Sequence, residues 1–272
     1  MRWASGLIAF AALFLAAEKS QAGPWPTGKG HAYWNLAYEF LDTTELATPD
    51  GVTQEIPEYR LHQIGIYGAY GLSGEVTALL DRLGFRDSSI EGFESASGIE
   101  DLRAGLQVQL GKKGPWLFAA RGIVQAPTGD ETKGLGILPT GSGAWEGDLR
   151  FSFGRSSSSG RAYGYGEAGY QLRGKALRDG FLYEGQLGLW ASSRVLLMLN
   201  LRGVQPFQSE PGEGGLTSVS GLGDGVTYTA LGPSVIFELA DDWGVQVEAE
   251  DAFNAKNLAT GLKLRVKLFW RR

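Results

Sequence analysis

The stretch EDLRAGLQVQL, residues 100–110, alternates apolar side chains with polar or small ones. Its apolar positions are Leu102, Ala104, Leu106, Val108 and Leu110. Because successive side chains of an extended chain point to opposite faces, the alternation predicts a β-strand with one apolar and one polar side. The stretch WEGDLRFSFG, residues 145–154, has the same pattern, so the chain uses this design more than once.

The same period of two continues through the chain from residue 31 onward. It predicts strands over 31–41, 58–72, 75–86, 100–110, 116–125, 145–154, 161–173, 181–190, 194–204, 226–240, 243–252 and 259–270. Strands of soluble sheets usually have about five or six residues, whereas a tilted strand needs about ten to cross a bilayer. We therefore predict an all-β fold, a transmembrane antiparallel up-and-down β-barrel of about 12 strands.

The connections between the predicted strands alternate in length. The short ones lie near 73 and over 111–115, 155–160, 191–193 and 241–242. The long ones cover 42–57, 87–99, 126–144, 174–180, 205–225 and 253–258. Outer-membrane barrels have short periplasmic turns and longer external loops. The alternative is a secreted soluble β-sandwich or lipocalin-like barrel, which would turn its apolar faces inward. Strand length and loop asymmetry favour the membrane barrel.

Tryptophan supports the same interpretation, because aromatic side chains concentrate at the two membrane interfaces. The predicted interface residues are Trp116, Trp145, Trp190, Trp243 and Trp270. If the first strand runs outward, Trp145 lies at the external rim and the other four lie at the periplasmic rim.

The N-terminus is typical of a secretory signal peptide. Arg2 precedes the apolar run 4–17, and Ser20 and Ala22 supply the small residues of a cleavage site after Ala22. The alternative, a retained membrane anchor, is disfavoured because the run is short for a span. We predict a signal peptide over 1–22 and a single outer-membrane barrel domain over 23–272, located in the bacterial outer membrane. The lead-in before the first strand, GPWPTGKG, is too short for a plug domain.

The polar faces of the strands are predicted to line the lumen. Their charged residues are Asp101, Arg103, Arg121, Asp148, Arg150, Glu167, Arg173, Glu184, Arg202, Glu238, Glu248, Glu250, Lys263, Arg265 and Lys267. Antiparallel pairing about 253–258 places Glu248 opposite Arg265 and Glu250 opposite Lys263, which favours cross-strand attraction. Two interpretations stay open: the charges fill and stiffen the barrel, or they form a constriction that selects permeants.

Catalytic and cofactor chemistry finds little support. The chain has two histidines and no cysteine, so it offers no disulfide and no thiolate metal site. No serine carries a signature that would pair it with a histidine and an acid. We therefore predict no enzyme, no catalytic residue, no metal site and no cofactor. His62 is the one candidate base for an outer-membrane lipid-modifying enzyme. The net charge of −5, with no basic patch outside the last strand, disfavours nucleic acid.

Three stretches resemble a known family: GKGHAYWNLAYEF at 28–40, GIEDLRAGLQVQLGKKGPWLFAARGIVQAPTGD at 98–130, and the closing strand with its alternating basic and apolar residues. They are similar to proteobacterial outer-membrane barrels described as meta-pathway phenol-degradation proteins, with XagA-like proteins close by. Glu100 replaces the usual second glycine of the first motif, whereas Pro127-Thr128-Gly129 matches. The resemblance implies a barrel that passes small compounds, aromatic or hydrophobic ones included. For XagA-like relatives it implies a role in surface polysaccharide and adhesion.

The closing stretch LKLRVKLFWRR, residues 262–272, is predicted to be the last strand. Similar barrels end on an aromatic residue that the assembly machinery recognises, and Trp270 is predicted to serve as this anchor. Arg271 and Arg272 are then predicted to lie in periplasmic water or on lipid headgroups.

These observations lead to one functional hypothesis and its rivals. The leading hypothesis is a narrow channel for passive passage of small solutes. The alternative is a structural or surface-interaction barrel, and a lipid-modifying enzyme is the least favoured. The expected partners are outer-membrane lipid, the barrel-assembly machinery during insertion and a small-molecule permeant, with no nucleic acid.

Overall fold

The computed structural model describes residues 23–175, 177–207 and 219–272, so the predicted signal peptide lies outside the described residues. Within these ranges, no helix is long and apolar enough to cross a membrane. A short 3-10 helix covers Lys133–Gly136. The strands are β1 (Ala32–Ala47), β2 (Thr53–Gly71), β3 (Val76–Ile90), β4 (Ser95–Ile99), β5 (Leu102–Lys113), β6 (Trp116–Ala126), β7 (Glu146–Ser156), β8 (Ala162–Arg173), β9 (Gly180–Trp190), β10 (Val195–Pro206), β11 (Thr227–Glu238), β12 (Trp243–Lys256), β13 (Leu258–Thr260) and β14 (Lys263–Arg271).

The long strands form one closed antiparallel sheet, which confirms the predicted twelve-stranded up-and-down barrel. Consecutive long strands are neighbours, and β1 pairs with both β2 and β14. The two short strands extend the sheet at one rim, where β4 pairs with β3 and β13 pairs with β1. Because β1 pairs with β14, the first and last strands have no unpaired edge, as a membrane-spanning sheet requires.

Connections at the two ends of the barrel differ in length. The short turns cover 72–75, 114–115, 157–161, 191–194 and 239–242, and the start of β1 and the end of β14 lie at the same rim. The longer connections at the other rim include 127–145, 174–179 and 207–226. By the rule for outer-membrane barrels, the rim with the short turns is periplasmic and the other rim is external.

Several predicted external loops prove to be strand. The prediction of a loop over 42–57 is wrong, because β1 continues to Ala47 and β2 begins at Thr53. Parts of the predicted loops 87–99 and 253–258 are strand as well. A hairpin that projects beyond the bilayer meets water on both faces, so it loses the apolar–polar alternation while its backbone pairing continues.

The two faces of the barrel have opposite chemistry. The outward side chains are apolar and exposed, and examples are Leu36, Ile64, Leu106, Leu199 and Val266. The inward side chains include buried charges and amides such as Glu39, Gln107, Glu167 and Glu248. A soluble barrel would have the reverse arrangement. The apolar outer face therefore indicates a barrel that spans a membrane.

Aromatic side chains mark the rims of the apolar face. Trp34, Trp270 and Trp243 lie side by side on β1, β14 and β12 near the periplasmic rim, and each is about two-fifths exposed. Trp116 is also exposed at this rim, and Trp145 is 63% exposed at the external rim. These four of the five predicted interface tryptophans thus face outward, and Trp34 joins them.

Trp190 does not fit the interface prediction. It has the same parity on β9 as Glu184 and Gln186, which face the interior. Its ring is partly buried and packs against an inner cluster that contains Tyr163 and Leu196. The prediction for Trp190 is therefore wrong. It was based on the position of Trp190 at the end of a strand, which places the residue at the rim but does not determine whether its side chain faces lipid or the interior.

An arginine on the outer face should destabilise the barrel. Leu199 faces outward in β10, and the next residue, Asn200, faces the interior. We expect Leu199→Arg to lower the free energy of unfolding by about 2–4 kcal/mol, because lipid cannot solvate the guanidinium. Urea titration of protein folded into lipid vesicles measures this loss. Asn200→Arg is the matched control, and an equal loss in both variants would contradict the assignment of the faces.

Candidate functional site

The interior of the barrel brings together the charged residues that the sequence places on the polar faces. They lie in ion pairs, in hydrogen bonds to inward-folded loops, or along a cavity. These residues are Asp101, Arg103, Arg121, Asp148, Arg150, Glu167, Arg173, Glu184, Arg202, Glu238, Glu248, Glu250, Lys263, Arg265 and Lys267. The interior is therefore the candidate functional site.

One ion-pair network crosses the seam where the last strand meets the first. Arg265 on β14 lies between two carboxylates, with Nη1 at 3.0 Å from Glu248 Oε1 and Nε at 2.6 Å from Glu39 Oε2. Lys267 Nζ is 3.3 Å from Glu248 Oε2, and Lys263 Nζ is 3.3 Å from Glu39 Oε1. These groups are largely removed from water, so each carboxylate depends on its cations for compensation.

The predicted register of this seam is confirmed, since Glu248 lies opposite Arg265 and Glu250 lies opposite Lys263. The ion pairs follow the register only in part. Glu248 does bind Arg265, but Glu250 binds Arg202, with 2.6 Å between Oε1 and Nη2. Arg202 lies on β10 and Glu250 on β12, so the long arginine side chain reaches over β11, and the directly opposite residue need not be the ionic partner.

A second network joins the two Asp-Leu-Arg stretches on the opposite wall. Asp148 accepts hydrogen bonds from Arg103 and from Arg150, the latter with 2.6 Å between Oδ2 and Nη2. Arg103 Nε also lies 2.9 Å from Asp81 Oδ2, and Arg150 Nη1 lies 3.4 Å from Glu167 Oε1. Cations and carboxylates therefore alternate along this wall, and none of these five side chains is far from an opposite charge.

The sequence-based list of interior residues omits several that the structure places there. Glu39 lies on the polar face of the first predicted strand, so its alternation carried enough signal to include it. Asp81 and Arg82 are harder to assign, because the β3–β5 register shifts between Leu80 and Arg82. An irregularity of this kind breaks the period of two and hides which face a residue takes.

The external mouth is covered from within by the connection 127–145 and by residues 219–226, the described part of the connection between β10 and β11. Leu138 is fully buried against Tyr59, Leu61 and Val219 in an apolar cluster beneath the rim. Arg86 Nη1 donates to the Ser220 carbonyl at 3.0 Å. Backbone segments that fold into a barrel need such partners, because no water-exposed surface receives them. The described part of the external mouth is therefore partly closed.

Asp101 holds the 127–145 connection in this position. Its carboxylate accepts the backbone N–H groups of Gly129 at 2.9 Å and of Ser142 at 2.7 Å. Within the connection, the hydroxyl and backbone N–H of Thr132 donate to the Asp130 carboxylate and hold its pKa below the ordinary value. Asp101 is thus an anchor for the inward-folded connection.

The periplasmic end contains the start of the described chain, residues 23–28, here called the N-terminal segment. Gln107 Nε2 donates to the carbonyls of Gly23 at 3.2 Å and Trp25 at 3.3 Å. The Trp25 ring meets the rings of Tyr163 and Tyr165 edge-on, with centroid separations of 5.7 and 6.3 Å. The N-terminal segment thus occupies the interior and narrows the periplasmic mouth.

Two strand glycines make room for the N-terminal segment. A Cβ atom on Gly71 would lie 1.9 Å from the Gly28 carbonyl oxygen and 2.0 Å from that of Thr27. A Cβ atom on Gly154 would lie 2.7 Å from Pro24 Cγ. Backbone approach as close as that at Gly71 is possible only where the strand residue has no side chain.

Between the two closures lies a cavity of about 350 Å³. Its described lining includes charged residues of the seam network, Asp81 of the second network, apolar side chains of β10, β11 and β14, and Gly23 of the N-terminal segment. The volume falls within the range of small-molecule sites, about 300–1,000 Å³.

The last strand ends differently from the prediction. Arg271 does not lie in periplasmic water, because β14 continues through it and the alternation turns its side chain inward. There it forms an ion pair with Glu238 and lies over the Phe269 ring, 5.0 Å from the centroid. Trp270 faces outward, as a terminal anchor requires.

The candidate base of an enzyme is remote from this interior. His62 lies on the outer face, where its Nδ1 is 2.7 Å from the Tyr38 hydroxyl and its ring packs near Phe40. Among the residues that the structure describes, no group of three or more His, Cys, Asp or Glu is placed to hold a metal ion.

Comparisons with known proteins bear on the fold. No family model and no curated protein matches the chain. The COG4313 outer membrane channel from Pseudomonas putida F1 is similar over 93% of this chain and 100% of that chain, with 13% identity and a TM-score of 0.70. The NanC porin is similar over 87% of this chain and 98% of that chain, with 7% identity and a TM-score of 0.55. The translocator domain of autotransporter NalP from Neisseria meningitidis is similar over 98% of this chain and 96% of that chain, with 14% identity and a TM-score of 0.51. The chain shares the closed twelve-stranded barrel fold of outer-membrane proteins.

Proposed function

We propose that this chain is an outer-membrane channel that lets small solutes pass through a narrow, partly closed interior. The observation that carries the proposal is the cavity of about 350 Å³ inside a barrel with an apolar outer face. Solved structures of the same fold that are named as channels or porins support it. Because one fold can serve several functions, the proposal rests mainly on the cavity, and the similarity to solved structures is additional support.

We further propose how the chain reaches its site of action. The predicted signal peptide, residues 1–22, would direct export, and the barrel-assembly machinery would insert the chain into outer-membrane lipid. The resemblance to phenol-degradation barrels adds aromatic or hydrophobic compounds as candidate permeants.

A structural or surface-interaction barrel is the second candidate function. The inward-folded connection 127–145 and the N-terminal segment favour it, because together they narrow both mouths. In that case the interior would be a rigid filling and the external connections would contact a partner.

Single-channel recording in planar bilayers distinguishes the two functions. We expect small conductance steps, and we expect swelling of liposomes in small sugars but not in large ones. The described cavity lining holds as many carboxylates as cationic side chains. We therefore expect weak ion selectivity, with a reversal potential near zero in a KCl gradient. Bilayers without conductance steps, together with liposomes that do not swell, would contradict the channel function. Strong selectivity for one sign of charge would contradict the balanced interior.

A further inference from the structure

The cavity changes in character along the barrel axis. On β10 the inward residues begin with Leu196 and Met198 near the periplasmic rim and continue with Asn200 and Arg202. On β14 the inward residue Phe269 lies closer to the periplasm than the inward residues Lys267 and Arg265. Ile236, Tyr33 and Tyr67 also line the periplasmic half. The cavity thus has an apolar part toward the periplasm, with the Arg271–Glu238 ion pair below it at the rim, and a charged part toward the external side.

The N-terminal segment closes the apolar part from below. Trp25 packs edge-on against Tyr163 and Tyr165, and Gly23 itself lines the cavity. These contacts are aromatic and tightly packed, so a solute in the cavity would meet an apolar surface at this end.

The charged part contains both signs in matched positions. Arg265 and Lys267 face Glu248, and Arg202 faces Glu250. A solute with one net charge would lose its water here without finding an uncompensated opposite charge. A zwitterion brings both signs, so its carboxylate can approach the cations while its ammonium group approaches the carboxylates. Arg202 lines the cavity and its side chain is 30% exposed, so a ligand can reach this side chain beside Glu250.

We propose that this cavity is a binding site for a small zwitterion with an apolar side chain, of the α-amino-acid type. The charged groups of the ligand lie among Arg202, Arg265, Glu248 and Glu250, and its side chain packs on Met198. The inference rests on the proposed channel function, because the bound zwitterion is then the permeant.

Three matched probes test the ligand class by isothermal titration calorimetry on the full chain in detergent. L-Phenylalanine carries both charges, 3-phenylpropionate lacks the ammonium group and phenethylamine lacks the carboxylate. We expect L-phenylalanine to bind and the two singly charged probes to bind at least about tenfold more weakly. If either singly charged probe bound as tightly as L-phenylalanine, or if no probe bound, the inference would be overturned.

A pair of variants locates the binding. Met198→Trp should fill the apolar part of the cavity and abolish L-phenylalanine binding. Leu199→Trp places the same side chain on the outer face of the adjacent position and should leave binding unchanged. Heat-modifiable migration in gels shows that both variants are folded. Undiminished binding in Met198→Trp would overturn the location.

Flux measurements separate this inference from the channel function. Liposomes that swell in small sugars while no probe binds would overturn the zwitterion site and leave the channel function intact. Binding of L-phenylalanine without conductance or swelling would contradict the channel function and support the site.

Discussion

A methyl group at residue 71 should raise the single-channel conductance severalfold. Gly71→Ala would put Cβ about 2 Å from the carbonyl oxygens of Thr27 and Gly28, a distance that atoms cannot occupy. The strand is held by hydrogen bonds to its neighbours, whereas few hydrogen bonds hold the N-terminal segment, so we expect the segment to move. Planar-bilayer recording measures the change.

Gly65→Ala is the matched control for this prediction. It adds the same methyl group to the interior side of the same strand, but the nearest atom, the Leu83 carbonyl oxygen, is 4.0 Å away. Its conductance should equal that of the unsubstituted protein. Equal conductance in Gly71→Ala and Gly65→Ala would show that the N-terminal segment does not limit the pore.

A reversible lock gives the converse test. The chain has no cysteine, so Pro24→Cys and Gly154→Cys would introduce the only thiols, at a place where Pro24 lies close to the strand. Oxidation should hold the segment inside the barrel and suppress the increase caused by Gly71→Ala. Reduction should restore the increase.

Arg265→Met should cause the largest loss of stability among interior substitutions. Glu39 and Glu248 would both lose a cation that binds them directly, and both carboxylates are largely removed from water. Breaking a buried ion pair from one side costs about 3–5 kcal/mol. Because neighbouring lysines remain, we expect a decrease of on the order of 3 kcal/mol in the free energy of unfolding. Urea titration in lipid vesicles measures it.

Arg60→Met is the control, because Arg60 also contacts two carboxylates, those of Asp42 and Glu58. Its side chain is 53% exposed, so water screens its ion pairs and we expect almost no change in the free energy of unfolding. Adding Glu248→Gln to Arg265→Met should recover part of the loss, since the neutral amide needs no cation. Equal losses at positions 60 and 265 would show that the interior network is as well hydrated as the rim.

The period of two was sufficient to predict the barrel. Alternation identifies the strand interiors because lipid on one side and a polar interior on the other impose opposite chemistry on adjacent residues. The Glu248–Arg265 register also followed from sequence, because a hairpin fixes which residues face each other. Both predictions depend on local patterns that the chain carries in every strand.

Other features lie beyond what such patterns encode. The residues 23–28 have no periodicity, and the glycines that accommodate them lie far away in sequence, at Gly71 and Gly154. Only the closed barrel brings these positions together. The prediction for Arg271 was wrong for a simpler reason, because it ended the last strand at Trp270. The strand continues through Arg271, and the alternation then turns this side chain inward. The bulge near Asp81 removed the signal locally.

The seam has a further consequence for the accuracy of barrel closure. Lys263, Arg265 and Lys267 are spaced by two residues, so a slip of β14 by two positions would still place a cation beside Glu248. Charge attraction therefore holds the last strand without selecting its alignment. The slip would, however, take Trp270 out of line with its tryptophan neighbours and separate Arg271 from Glu238. The correct alignment of β14 is thus favoured by the contacts of Trp270 and Arg271 and not by the repeated cations.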